Sequence, residues 1–264
     1  MAARKSFNLK PASFPARRPI LSNYRNSIVL WRVLYWIAKE GMSTYGDIAL
    51  KMGLDISTSK AKNIALIKVQ RACAVLKEEN LIMLNKLKMY YGLKLHAIRV
   101  TDFGKAHCAK NYGWEKCITD WEKLVAFHNG TNCENHSAAV LNFAYHARLR
   151  NWIVRVLPEE DSTPSNPDML IYKDGNYHYV EVETRGNRAV TKTRKWLNQY
   201  QIQKGVAVCM MTNEAAWNVA QMFEENYYLD YHVTSLMFLQ STAYNNARPG
   251  NLWLAKMENP YAAH

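Results

Sequence analysis

Residues 167–184 read Pro-Asp-Met-Leu-Ile-Tyr-Lys-Asp-Gly-Asn-Tyr-His-Tyr-Val-Glu-Val-Glu-Thr. The central Lys173-Asp174-Gly175-Asn176 predicts a hairpin turn, because Asp-Gly tolerates the positive φ angles that a two-residue connection imposes. Strands are therefore expected over 167–172 and 177–184. Asp168 opens the first, and Glu181 and Glu183 lie near the end of the second. Side chains at i and i+2 of a strand share a face, so the two glutamates are neighbours, and the hairpin can bring Asp168 beside them. Three carboxylates on an apolar sheet repel one another unless a cation lies between them. Hard oxygen donors suit Mg²⁺ or Mn²⁺. Such an ion orients a phosphate, lowers the pKa of a bound water and steadies a leaving oxygen, which is what phosphodiester hydrolysis requires. The competing reading is a solvated strand face in which Glu181 and Glu183 pair with Arg185, Arg188 and Arg194.

The flanking segments extend this hairpin into a domain. A helix is expected over 137–150, with Leu141, Ala144 and Tyr145 inward, and an alternating strand over 152–157. After the hairpin come a basic helix over 191–204, an apolar strand over 206–211, a helix over 214–226 and a last strand near 232–239. The order predicts a mixed α/β (α+β) domain over 131–264. Arg185, Arg188, Lys192, Arg194, Lys195 and Lys204 stand between 185 and 204 with no acidic residue among them. Placed directly after Glu183, they suit a phosphate backbone, and Lys192 and Lys195 share one helical face with Gln199.

Charge separates the two halves of the 264-residue chain, whose net formal charge is +12. Residues 1–130 hold 22 Lys+Arg against 9 Asp+Glu, whereas residues 131–264 are close to neutral. A basic half points to a polyanionic partner. The arm at 1–22 carries Arg4, Lys5, Lys10, Arg17 and Arg18, is punctuated by Pro11, Pro15 and Pro19, and has no periodicity.

Over 23–110 the pattern is that of a winged helix-turn-helix. A first helix over 23–40 places Val29, Val33, Trp36 and Ile37 on one face, while Arg25, Arg32 and Lys39 recur every seven residues. Gly41 stops it. Ser43-Thr44 can cap a short second helix through Lys51. The turn at 55–59 leads into a long third helix to about Glu79, with Val69, Ala72, Cys73 and Leu76 inward. Two helices, a turn and a third helix form the DNA-reading arrangement. The candidate recognition helix presents Ser59, Lys60, Lys62, Asn63, Lys68 and Arg71, whose side chains suit phosphates and base edges. Residues 82–100 read as a hairpin turning at Tyr91-Gly92, with Lys86 and Lys88 on this wing. Thr101-Asp102-Phe103-Gly104 resembles the Thr-x-x-Gly that follows the wing in many winged-helix regulators. Residues 111–130 link the halves, with Trp114, Trp121, Leu124 and Phe127 suggesting a helix packed on a domain face.

Pro167-Asp168, a hairpin and Glu181-Val182-Glu183 together resemble the PD-(D/E)-x-K, restriction-endonuclease-like nuclease superfamily. The resemblance implies a mixed-sheet nuclease fold and a Mg²⁺-dependent DNA endonuclease or nickase. It makes Asp168, Glu181 and Glu183 metal ligands and catalytic residues. Glu183 occupies the position usually held by Lys, so the resemblance leaves Lys195 or Lys192 to supply the amine from the next helix. The superfamily's first acidic residue comes from the preceding helix, where Glu134 is the acidic candidate and His136 lies beside it. An N-terminal winged helix joined to this domain resembles the replication-relaxation family of plasmid and mobile-element proteins. A catalytically silent DNA-binding regulator or replication and mobilisation factor is the alternative, because of the glutamate at the lysine position. The expected partner is double-stranded DNA, with a homodimer or a recombination or replication protein left open.

The remaining signals are weaker. Cys117, His128, Cys133 and His136 offer zinc-type donors, but the intervals of 10, 4 and 2 residues match no standard zinc pattern. His178, between Tyr177 and Tyr179, reads as packed or exposed rather than catalytic. No phosphate-binding glycine loop or nucleophile elbow is present. No run reaches the ~18 apolar residues of a membrane span, and no apolar segment follows the basic N-terminus as in a secretory signal. Five cysteines, an odd number, fit reduced thiols in a cytoplasmic protein.

Overall fold

The computed structural model describes residues 20–88, 94–128, 134–158, 166–184, 196, 205–226, 230–242 and 251–257. The chain belongs to the mixed α/β class, as expected. After a single 3₁₀ turn at Ile20–Asn23, the N-terminal half runs α1 (Ser27–Ala38), α2 (Tyr45–Lys51), α3 (Ser59–Glu78), β1 (Ile82–Lys88), β2 (Lys94–Val100) and α4 (Asp102–Tyr112). Then come α5 (Asp120–Phe127), α6 (Glu134–Leu149), β3 (Ile153–Val156), β4 (Met169–Lys173) and β5 (Asn176–Glu183). The chain continues with β6 (Val206–Met210), α7 (Asn213–Asn226), β7 (Tyr231–Ser235), α8 (Leu236–Ser241) and β8 (Ala255–Met257).

Side-chain caps fix the helix starts that the sequence indicated. Thr44, Thr58 and Thr101 each accept a hydrogen bond from the backbone N–H three residues on, at Asp47, Ala61 and Gly104. Each satisfies one of the donors that a first helical turn leaves without a carbonyl. Thr119 and Glu122 form a reciprocal capping box at α5. In α3 the inward residues are Ala65, Val69, Ala72, Cys73 and Leu76. In α1 the buried set is Leu30, Val33, Leu34, Ile37 and Ala38, which corrects the apolar face: Val29 is 41% exposed and only Val33 and Ile37 of the expected four are fully inside. The stripe is centred on Leu30 and Leu34, a third of a turn from where Val29 points. The link also differs from expectation. Trp114 lies outside any helix and packs with the N-terminal core, Trp121 and Leu124 of α5 are buried, and Phe127 is exposed.

β1 and β2 form an antiparallel pair in which Ile82 faces Val100 and Leu87 faces Leu95. The second sheet has the order β3-β4-β5-β6-β7-β8. Its centre, β5-β6-β7, is parallel, and β3, β4 and β8 are antiparallel to their neighbours. The hairpin turn at Asp174-Gly175 has φ of +50° and +87°, the positive pair that its sequence predicted. One sheet face, with Met169, Ile171, Val180, Val182, Ala207 and Cys209, packs against α6. The other, with Val206, Val208, Met210, Tyr231 and Val233, packs against α7 and Trp196. The expected strand near 232–239 ends at Ser235, which accepts from the Phe238 N–H and caps α8. That cap turns the apolar Leu236–Leu239 run into a helix. β8 carries no signal in the sequence strong enough to have been read as a strand.

Helix α6 ties the two halves together. It is buried almost all round from Ser137 to Leu149. The Arg148 guanidinium, 6% exposed, lies 3.0 Å from Asp47 of α2 and 2.9 Å from Asp120 of α5. Nearby, the Ser43 hydroxyl accepts from the Trp121 N–H at 2.7 Å, and the Gly41 carbonyl accepts from the Asp120 N–H at 2.8 Å. Among the described residues, no helix is long and apolar enough to cross a membrane.

Candidate functional site at Asp168

Asp168 precedes β4 and is tied in three directions. Its backbone carbonyl accepts from the Leu157 N–H at 3.0 Å, holding the end of β3. Its Oδ2 accepts from the Val182 N–H at 2.7 Å. Strand N–H groups lie in the sheet, so this carboxylate oxygen takes the place of a carbonyl and extends the β4–β5 ladder by one bond. Its Oδ1 lies 2.9 Å from His136 Nε2 of α6.

Met169 pairs with Val180. Continuing that register by one residue sets Asp168 opposite Glu181. Glu181 and Glu183 are 2% and 4% exposed, and Asp168 is 5%. Strand alternation puts both glutamates on the face opposite Val180 and Val182, beside Val208 and Met210 of β6. The three carboxylates thus belong to adjoining strands, but they do not share one face as the hairpin reading supposed. Asp168, just outside the regular strand, turns its carboxylate into the sheet edge toward α6. The field of Asp168 reaches Cys209 on β6, whose thiol is pushed well up by burial first and by this carboxylate second.

The helix supplies His136 to this site rather than Glu134. The two are neither three nor four residues apart on α6, so they do not face the same way. His128, at the C-terminus of α5, packs its ring edge-on against His136 with centroids 4.9 Å apart. One donor atom each from His128, His136 and Asp168 lies within 4.8 Å of the others. Two imidazoles and a carboxylate are a donor set that divalent transition metals accept. His128 and His136 were both visible in the sequence as zinc-type donors. Their carboxylate partner is 32 residues beyond His136 and is brought in only by tertiary packing. Cys117 is not part of this group: it is buried beside Cys108 in the N-terminal core, and its thiol donates to the Trp114 carbonyl. Cys133 lies outside the described residues.

The nucleic-acid candidates divide by helical phase. Ser59, Lys60, Asn63, Lys68 and Arg71 on α3 are exposed, as are Arg25 and Lys86. Lys60, Lys68 and Arg71 follow i, i+8, i+11 spacing and form one outward stripe. Lys62 stands apart. It shares the phase of Val69 and Leu76, is half-buried, and places its ammonium 5.5 Å from the Tyr145 ring centroid of α6. Arg185, Arg188, Lys192, Arg194 and Lys195, the arm at 1–19, the turn at Tyr91-Gly92 and the side chain of Lys88 lie outside the described residues. Of the expected helix at 191–204, Trp196 alone is described; it is helical and its ring meets Phe223 at 5.7 Å. His178, expected to be packed or exposed, is half-buried against His232, Trp152 and Trp253.

No family model, curated protein or solved structure matches the chain.

Proposed function

We propose that the protein binds double-stranded DNA through a winged helix and hydrolyses phosphodiester bonds in a restriction-endonuclease-like domain, as an endonuclease or nickase of a plasmid, phage or other mobile element. The carrying observation is the placement of Asp168, bonded at once to α6 and to the backbone between Glu181 and Glu183. Burying three carboxylates within two neighbouring strands is costly unless they hold something positive. The exposed Lys60–Arg71 stripe on α3 supports the DNA-binding half of the reading.

A Mg²⁺ or Mn²⁺ ion held at Asp168 would supply positive charge to the phosphate and acidify a bound water. The Val182 N–H fixes the orientation of Asp168, and His136 holds its other oxygen on the α6 side of the sheet. In that hydrolysis the water oxygen would bond to phosphorus as its proton passes to solvent, the bond to the leaving sugar oxygen would break, and solvent would protonate that oxygen. Lys192 or Lys195 would neutralise charge on the scissile phosphate.

Supercoiled plasmid incubated with Mg²⁺ or Mn²⁺, with EDTA as control, is the direct test. Asp168→Ala should lower cleavage by at least ~100-fold, as loss of a metal ligand does, and leave duplex affinity within about twofold, since it removes no contact of the phosphate-binding face. An Asp168→Ala protein that cuts as fast as the parent overturns the site. Glu183 at the usual lysine position favours the second reading, a catalytically silent DNA-binding regulator or mobilisation factor. That reading predicts duplex binding without nicking in either metal.

A further inference from the structure

We infer that His128, His136 and Asp168 form a binding site for one borderline divalent transition metal, of the Zn²⁺ class rather than Mg²⁺. The pocket is the one on which the hydrolysis reading rests, but the inference needs only the geometry around Asp168. Three observations carry it.

First, the three donor atoms already lie within 4.8 Å of one another, although they come from the end of α5, the first turns of α6 and the start of β4. Donors on one side of an octahedral ion with ~2.1 Å bonds are ~3.0 Å apart, so with His136 and Asp168 already at that spacing, closure requires the His128 nitrogen to move by at most ~1.8 Å.

Second, the separation of 2.9 Å between His136 Nε2 and Asp168 Oδ1 is close to the ~3.0 Å edge of that octahedron. Third, the Val182 N–H occupies Oδ2 and so presents Oδ1 toward the two rings. An outer hydrogen bond of this kind is what orients a single-oxygen carboxylate ligand.

Imidazole nitrogen sets the ion class. Neutral imidazole suits Zn²⁺, Cu²⁺, Fe²⁺ and Ni²⁺, whereas Mg²⁺ keeps oxygen and water around it. Two nitrogens and one oxygen on one side leave the other positions open to water or to a phosphate oxygen. Because His128 closes α5, the bound ion would also tie the end of α5 to the mixed sheet.

The test is calorimetric titration of the full-length, metal-stripped protein with Zn²⁺, Mn²⁺ and Mg²⁺, in the absence of DNA. One equivalent of Zn²⁺ should bind, more tightly than Mn²⁺ in keeping with the usual order of divalent affinities, and Mg²⁺ much more weakly than either. His128→Gln and His136→Gln should each weaken Zn²⁺ by more than the ~10–100-fold of an outer-shell partner. A second measurement needs no variant. In the parent protein with labelled histidines, Mn²⁺ should broaden the ring signals of two of the eight imidazoles first. Absence of a one-equivalent Zn²⁺ site, Zn²⁺ affinity unchanged in either variant, or Mn²⁺ broadening no imidazole overturns the inference. Zinc binding as expected together with an inert plasmid assay would sink the hydrolysis reading and leave this site standing.

Discussion

His146 is the residue whose burial has the clearest pH consequence. It lies inside α6, its Nδ1 3.4 Å from an Arg150 nitrogen, and burial, aided by the Arg150 and Lys62 charges, pushes its pKa down to about 3. In the unfolded chain the ring protonates near its ordinary value of ~6.5. Between those values the unfolded state binds the extra proton, so stability present above pH ~6.5 is lost as pH falls toward 3, at about 1 kcal/mol per unit where the difference is complete. Denaturant melts at pH 7.5, 6 and 5 should show that fall, and His146→Gln should make the curve shallower. Gly104 makes a second residue-scale prediction. A Cβ there would stand 2.1 Å from the Leu81 carbonyl oxygen, a backbone atom that cannot swing aside. Gly104→Ala should therefore cost more than about 2 kcal/mol, read as a lower melting temperature. At this scale the sequence was legible where a residue acts through its own neighbours in the chain. The caps at Thr44, Thr58 and Thr101 needed only the next turn, and Asp174-Gly175 needed only its own φ angles. The His128–His136–Asp168 group was not legible, because no local rule relates a histidine that ends one helix to an aspartate 40 residues later that begins a strand.

At the scale of elements, α3 is the one whose two faces have different work. Its inner face holds Val69, Cys73 and Leu76, and Lys62 shares that side. Its outer face carries Lys60, Lys68 and Arg71. Under the DNA-binding reading, Lys68→Glu and Arg71→Glu should each lower duplex affinity across sequences and reduce the salt dependence by about one counterion. Lys62→Gln should leave that slope unchanged, and competition binding at several salt concentrations distinguishes them. The distinction was written in the helical period but not in composition, since all four are cations on one helix. The same cause explains Val29 on α1. An apolar residue can stand one position off the buried stripe without breaking a periodic pattern, and only packing decides which neighbours are inside. Leu236–Leu239 failed for another reason. An apolar run is compatible with a buried strand or a short helix, and the Ser235 cap chose between them.

For the molecule as a whole, Arg148 is the hinge of stability. One buried guanidinium serves Asp47 from one half and Asp120 from the connecting helix. Its own pKa is held up by those two carboxylates against the opposing effect of burial. Arg148→Met should cost about 3–5 kcal/mol, because it strands two buried carboxylates. Combining it with Asp47→Asn and Asp120→Asn should recover much of the loss, and scanning calorimetry on the two proteins reads the difference. None of this was foreseeable from a charge count. Arg148, Asp47 and Asp120 are scattered among residues that look like surface, and only the folded chain shows them meeting.

The near-complete burial of α6 limits how this protein can be divided. A fragment ending at residue 130 would leave Asp47 without its cation and open the cavity under Gly46 where the Tyr145 ring now sits. A fragment beginning at 131 would in turn leave Arg148 with neither carboxylate. The charge boundary near residue 130 is therefore not a place to cut. A portable version of the basic half has to carry α6 with it or have Asp47 replaced, and a single-residue insertion between His136 and Arg148 would turn one end of the helix by ~100° against the other.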